Sequence, residues 1–270
     1  MFINHRKLAS YWTNKSVLIT GASSGLGAAV VEALAPYQCH IGMLSRRVEP
    51  MQALAERLES SGSKFWIKSC DVRDRQQVYE AVDEFYKLVG RLDVVWANSG
   101  VSVNASYKRW DWERIEAVFA TNLMGAIYTL RAGLEKMVPN GQGTLVAIGS
   151  AAAMRGLPTR SPYSISKIGL EYLMESYAAE FPDIQCTMIH PGWVETPISA
   201  ANPNRMWLMQ SPKAAQLMIG AVALKKRNYI YPWQMRFIFQ LVRSMPLSLY
   251  VTLSNKFLHK IRRSKDDATD

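Results

Sequence analysis

Short runs of apolar and β-branched residues alternate along this chain with longer segments of helical period. Residues 16–20, 39–45, 64–70, 92–97, 144–149, 184–190 and 229–231 each read as a strand buried on both faces. Between them, residues 51–60, 76–89, 112–137 and 163–181 place apolar side chains at helical spacing. Strands joined through helices of this length need crossover connections, which are right-handed and give a parallel sheet. The pattern predicts a doubly wound α/β fold, a sheet of about seven strands with helices on both faces. No Gly/Ser-rich linker, repeat or low-complexity run interrupts the 270 residues, so residues 1–232 are expected to form one domain.

Residues 233–270 form an extension with a different character. In 233–245, Arg236, Gln240 and Arg243 make a polar stripe opposite Phe237, Ile238, Leu241 and Val242. Pro246 breaks that helix, and a second amphipathic run follows over 249–261. The two arginines and the proline interrupt what would otherwise approach a membrane-spanning length.

Composition sharpens this picture in two places. A hydrophobic fraction of 49% with 20% charged residues belongs to a globular chain. The net charge of +10 is concentrated: from Thr196 to Lys265 there are twelve Lys or Arg and no Asp or Glu. Nothing in this stretch resembles a nucleic-acid-binding motif, so no nucleic acid partner is expected. Two cationic amphipathic helices could lie on an anionic membrane as a peripheral contact, or pack on the sheet domain or a second subunit. Cys39, Cys70 and Cys186 are too scattered for a disulfide framework or a metal site, and the N-terminus lacks an apolar leader core, which together suggest a cytoplasmic protein.

The chemistry begins where the first strand ends. Thr20-Gly21-Ala22-Ser23-Ser24-Gly25-Leu26-Gly27 leads into an Ala/Val-rich helix. Glycines at a strand-to-helix turn let the backbone approach a pyrophosphate, and the helix start offers free N–H groups and a positive dipole end. Further landmarks follow in order: Cys70-Asp71-Val72, Ala97-Asn98-Ser99-Gly100, Thr121-Asn122-Leu123, Ser150, Tyr163-Ser164-Ile165-Ser166-Lys167 and Pro191-Gly192. This series, over residues 15–231, resembles the short-chain dehydrogenase/reductase family, whose glycine motif is also Thr-Gly-x-x-x-Gly-x-Gly. Ser99 departs from the family's usual alanine.

The resemblance implies a nicotinamide dinucleotide held by Gly21, Ser23, Ser24, Gly25, Leu26 and Gly27. It also implies contacts from Asp71 and Val72 at the adenine, Asn98 beside the fourth strand, and Pro191, Gly192 and Thr196 near the nicotinamide. An acid closing the second strand would favour NAD, yet the chain reads Met43-Leu44-Ser45-Arg46-Arg47 there. Arg46 can pair a 2′-phosphate with help from Ser45, so NADP is expected, although Ser24 stands where some NADP-dependent members carry a second basic residue.

Tyr163 and Lys167, four apart, share one face of a helix. A free tyrosine titrates near ~10, and a neighbouring ammonium favours its phenolate, so Lys167 is expected to lower the pKa of Tyr163. By resemblance, Ser150 holds the substrate oxygen, Asn122 fixes a water linking Lys167 to solvent, and both Tyr163 and Lys167 also contact the dinucleotide. The expected reaction is hydride transfer between a nicotinamide and a carbonyl or secondary alcohol, with Tyr163 as acid/base. A non-catalytic sensor of the dinucleotide's redox state, or an NAD-specific dehydrogenase, are the alternatives. Over residues 197–211 the apolar run Met206-Trp207-Leu208-Met209 suits either a lid for a lipophilic substrate or packing against protein. The family's habit of pairing through its long helices implies a homodimer or homotetramer.

Overall fold

The computed structural model describes residues 5–200 and 205–266. In chain order its elements are α1 (His5–Trp12), β1 (Ser16–Thr20), α2 (Gly25–Leu34), β2 (His40–Ser45), α3 (Glu49–Arg57), β3 (Lys64–Ser69) and α4 (Arg75–Val89). These are followed by β4 (Val94–Ala97), α5 (Trp112–Phe119), α6 (Gly125–Met137), β5 (Gly143–Ile148), α7 (Ser161–Glu180), β6 (Ile184–Pro191), α8 (Pro197–Ala200) and α9 (Ser211–Ala223). The chain ends with β7 (Asn228–Tyr231), α10 (Trp233–Ser244) and α11 (Leu247–Asp266). The seven strands form one sheet in the order β3-β2-β1-β4-β5-β6-β7, and every pairing is parallel.

Strand alternation divides the core into two layers. Val17 and Ile19 of β1, with Val94 and Trp96 of β4, face a cluster completed by α2 and α9. Leu18, Val95 and Ala97 point the other way, onto residues of α4, α6 and α7. Strands apolar on both faces are what a helix-covered parallel sheet requires. Gly133 lets α6 come close: a Cβ there would stand 2.5 Å from Val95 Cγ2. The N-terminal helix α1 is anchored by Trp12, whose ring is fully buried, stacks near Trp96 and donates Nε1–H to the Ile219 carbonyl at 3.2 Å.

Two details refine these expectations. The helix expected over 112–137 runs unbroken but carries one π-helical turn, Ala120–Met124, between α5 and α6. Its widened backbone carries Asn122, which bonds the Val101 backbone on both sides, Val101 N–H donating to Oδ1 at 2.8 Å and Nδ2 donating to Val101 O at 2.9 Å. The second concerns α10, which packs through Met235 and Phe239, while Phe237 and Leu241 of the apolar stripe face outward with Trp233. Residues 201–204, inside the expected lid, and 267–270 lie outside the described residues.

Candidate functional site

The strand order reverses between β1 and β4, where the connections leave toward opposite sides of the sheet. A crevice opens at the carboxyl ends of these strands, the place where doubly wound sheets take ligands. Here it is a cavity of about 570 Å³ reaching from Arg46 and Asp71 at one end to Leu157, Trp193 and Met235 at the other.

At the first end the chain turns sharply from β1 into α2. Gly21 has φ +69° and Gly25 φ +57°, conformations that suit glycine. Gly21 N–H donates to Leu44 O at 2.8 Å, and the Asn98 amide donates to Thr20 O at 3.1 Å and Gly21 O at 3.4 Å. Asn98 thus ties β4 to the glycine turn. Gly21, Ser23, Ser24, Gly25 and Leu26 line the cavity, whereas Gly27 lies beneath it. A Cβ on Gly27 would meet Gly21 O at 2.2 Å, so this glycine allows α2 to pack under the turn and is not a wall residue.

Ser45 donates to Ser23 Oγ at 2.8 Å, and Arg46 lines the rim. Arg47, which the sequence reading passed over, reaches the turn itself: its Nη2 stands 3.1 Å from both Ser23 Oγ and Ser24 Oγ. Its position directly after Arg46 was the available signal. Asp71 and Val72 also line this end. Hydrogen bonds from the Arg73 guanidinium hold the Asp71 carboxyl below the usual range, aided by the more distant Arg46.

At the second end Ser150, Tyr163 and Lys167 line the same cavity. Ser150 Oγ accepts from Ala152 N–H at 3.0 Å, which fixes the short turn after β5. Lys167 is 4% exposed and donates to Ile148 O at 2.7 Å, its amine 5.8 Å from the centre of the Tyr163 ring. Asn122 is fully buried outside the cavity wall, bonded through Nδ2 to Ser166 Oγ at 3.2 Å. It still borders the site, because a Cβ added to Gly100 would stand 3.5 Å from Asn122 Oδ1 and 3.8 Å from Lys167 Nζ.

The electrostatics correct one expectation. Burial pushes the Tyr163 phenol above its ordinary value, and what pulls it back is a hydrogen bond with Ser150 and the charge of Arg160. Lys167 is not among the groups that pull it back, and burial, which makes a charge costly, pushes its own pKa down to about 8. Arg160, the cation the sequence reading missed, is steadied by Ser102 Oγ and Val103 O, each at 3.1 Å. It precedes Tyr163 by three residues with no spacing signal to mark it. The three cysteines are buried, with thiols pushed up to about 12, 11 and 11, so none is poised as a nucleophile. No metal-ligand cluster occurs among the described residues.

Pro191, Gly192 and Thr196 form the roof. The Thr196 side chain would stand 3.4 Å from a Cβ on Gly25, closing the roof onto the start of α2. The apolar run at 206–209, expected either as a lid or as packing against protein, stands away from the cavity in this structure. Met206, Trp207 and Leu208 are exposed and none of the four lines the cavity. Met209 N–H donates to Trp193 O and Glu195 N–H to Met209 O, both at 2.9 Å, which holds the segment alongside 193–195. The apolar wall comes instead from Met154, Leu157, Trp193, Ile198 and Met235.

A glycine turn opening a switch-point crevice, with a tyrosine and a buried lysine inside it, defines the class of dinucleotide-dependent oxidoreductases. The family model described as short chain dehydrogenase matches residues 15–206, and the chain belongs to that family. It is 32% identical over 239 residues to an uncharacterised oxidoreductase of Myxococcus xanthus, covering 87% of this chain and 94% of the relative. Bovine dehydrogenase/reductase SDR family member 7B is 26% identical over 96% of this chain and 86% of its own length. Among solved structures, a short-chain dehydrogenase/reductase from Burkholderia phymatum in complex with NAD superposes with a TM-score of 0.78 at 20% identity, covering 86% and 93% of the two chains. An alcohol dehydrogenase from Thermococcus sibiricus complexed with 5-hydroxy-NADP gives 0.74 at 24%, covering 80% and 95%.

The buried lysine has a consequence for stability. Its pKa of about 8 lies below the ordinary 10.5, so between those values the unfolded chain binds more protons than the folded one. That imbalance makes stability rise with pH across the window. Wild type should therefore gain unfolding free energy relative to Lys167→Met as pH rises from about 8 to about 10, read by urea titration. A difference that stays flat with pH would contradict the buried charge.

Proposed function

We propose that this enzyme uses NADP(H) to exchange a hydride with a carbonyl or secondary alcohol of a lipophilic small molecule, with Tyr163 as the general acid/base. The observation that carries the reading is one continuous cavity with Ser150, Tyr163 and Lys167 at one end and Arg46 with Arg47 at the other. The dinucleotide, when bound, supplies or accepts the hydride at its nicotinamide C4. The residues handle the proton and the oxygen. Ser150 holds the substrate oxygen, and Tyr163, kept a neutral phenol by burial, gives it a proton during reduction. Lys167 replaces that proton, and its own is renewed through the space it shares with Asn122 beside Gly100. The apolar wall at Met154, Leu157 and Met235 favours a hydrophobic substrate.

The cofactor reading rests on guanidinium chemistry. Arg46 pairs the 2′-phosphate, Arg47 holds Ser23 and Ser24 at the turn, and no acid closes β2 to bond a free 2′-hydroxyl. Association into a homodimer or homotetramer and a cytoplasmic setting belong to the same reading. So does a peripheral contact with anionic lipid. Trp233, Phe237 and Leu241 recur every four residues on the outward face of α10, in a quarter of the chain rich in Lys and Arg. Among the described residues no helix is long and apolar enough to cross a membrane.

Tyr163→Phe should abolish reduction of hydrophobic ketones and aldehydes while NADPH binding, read by fluorescence titration, is retained; undiminished turnover would refute the acid/base role. Arg46→Asp should weaken NADPH far more than NADH, and equal losses would overturn the NADP preference. Liposomes containing phosphatidylserine should co-sediment the full chain and lose Trp233→Ser/Phe237→Ser/Leu241→Ser. Equal pelleting of both would sink the lipid contact.

A further inference from the structure

Behind Ser150 lie three polar groups that the reaction does not use. His190, on β6, is fully buried, and its Nδ1 stands 3.2 Å from the Ser150 carbonyl oxygen. Its Nε2 faces Oε2 of Glu171 at 3.9 Å. Glu171, eight residues after Tyr163 on α7, is 1% exposed, and its Oε1 accepts a hydrogen bond from Arg243 of α10 at 2.6 Å. Tyr163, Lys167 and Glu171 thus recur at intervals of four along one side of α7.

The imidazole sits between two acceptors, and a neutral ring has one proton to offer. Burial, together with Arg243 and Lys167, holds its pKa below the ordinary value, against the pull of Glu171 and of the Ser150 carbonyl. The Phe239 ring of α10 also packs against it, 5.2 Å away between centres. Nε2 of His190 and Oε2 of Glu171 both lack a hydrogen-bond partner, as they must if the proton sits on Nδ1 and two acceptors face each other. An unneutralised carboxylate at Glu171 would draw the proton to Nε2. Arg243 pairs the other oxygen of this carboxylate.

The same helix is held from the active-site side. Arg155, five residues after Ser150, donates Nε–H to Val242 O at 3.0 Å and Nη2–H to Arg243 O at 3.2 Å, and also bonds Met245 O. A guanidinium on the last carbonyls of α10 satisfies them and complements the helix dipole. Tyr250 of α11 adds a bond to Gly156 O at 2.9 Å. Meanwhile Met235 of α10 lines the cavity itself.

We propose that Glu171, Arg243 and His190 are positioning residues for Ser150: the ion pair keeps the imidazole proton on Nδ1, where it anchors the serine's carbonyl, and α10 is thereby part of the catalytic apparatus. This rests on the reading of Ser150 as the group that holds the substrate oxygen. Arg243 is suited to the test because its side chain is 42% exposed, so a methionine there adds nothing to the apolar core, and circular dichroism of each variant checks that the unpaired Glu171 has not unfolded it.

The experiment compares Arg243→Met, Arg243→Lys and Ser150→Ala with wild type in steady-state reduction of a hydrophobic ketone by NADPH, alongside long-range ¹⁵N–¹H spectra of histidine-labelled protein. Arg243→Met should lower kcat on the order of tenfold through misplacement of Ser150, with KM for NADPH within about twofold and recovery in Arg243→Lys. In the same variant the His190 proton should move from Nδ1 to Nε2, or both nitrogens should become protonated. Wild-type kcat in folded Arg243→Met overturns the proposal, as does a lost kcat with an unchanged His190 signal, which would mark general loosening. Full turnover by Ser150→Ala would strike the serine's role instead, and the His190 spectrum would then decide the anchoring alone.

Discussion

The reversal of strand order between β1 and β4 is the constraint on which the rest of this molecule depends. Right-handed crossovers carry the chain from β1 to β2 and β3 on one side, and from β4 through β5, β6 and β7 on the other. The connections therefore part above these two strands and leave a crevice that side chains alone do not fill. The glycine turn, Asn98 and the roof at Pro191–Thr196 are devices that shape this opening. Gly27 belongs with them because it lets α2 tuck beneath the turn, aiming the helix start into the cavity.

Inside the crevice the decisive quantity is desolvation. A fully buried lysine and a buried phenol sit side by side, and burial works against the charged form of each. The pair therefore rests with its proton on the tyrosine and a lysine titrating close to neutral pH. In the proposed reaction this arrangement leaves the tyrosine with a proton to give to substrate and the lysine able to replace it. Ser150 and Arg160 temper the effect, and the backbone carbonyl of Ile148 fixes where the lysine points.

Much of this was legible in the sequence, and for a physical reason. Strands buried on both faces are continuous apolar runs, so all seven could be placed; their ends shifted by two residues at most. The glycine turn, Tyr163 with Lys167, and Ser150 were legible because each needs a particular residue type at a fixed spacing. The misses share a different origin. Arg160 and Arg47 act through where a long flexible side chain reaches, which spacing does not encode. The apolar run at 206–209 left a lid and protein packing both open, because composition cannot tell a wall facing a cavity from one facing solvent. The π-helical turn at Asn122 interrupts no hydrophobic period and carries no breaker residue. The Glu171–Arg243 pair joins elements 72 positions apart, beyond any local pattern.

In the proposed reaction the crevice couples hydride transfer at a substrate carbon to proton transfer from Tyr163. Reduction of a hydrophobic ketone with NADPH carrying two deuteriums at nicotinamide C4, run in H2O and in D2O, reads both transfers, through mass spectrometry of the alcohol and the rate of its formation. One deuterium is expected on the carbinol carbon, with turnover slowed in D2O because a proton moves from Tyr163 in the same reaction. An alcohol without deuterium on carbon, formed at the same rate as with unlabelled NADPH, would contradict it.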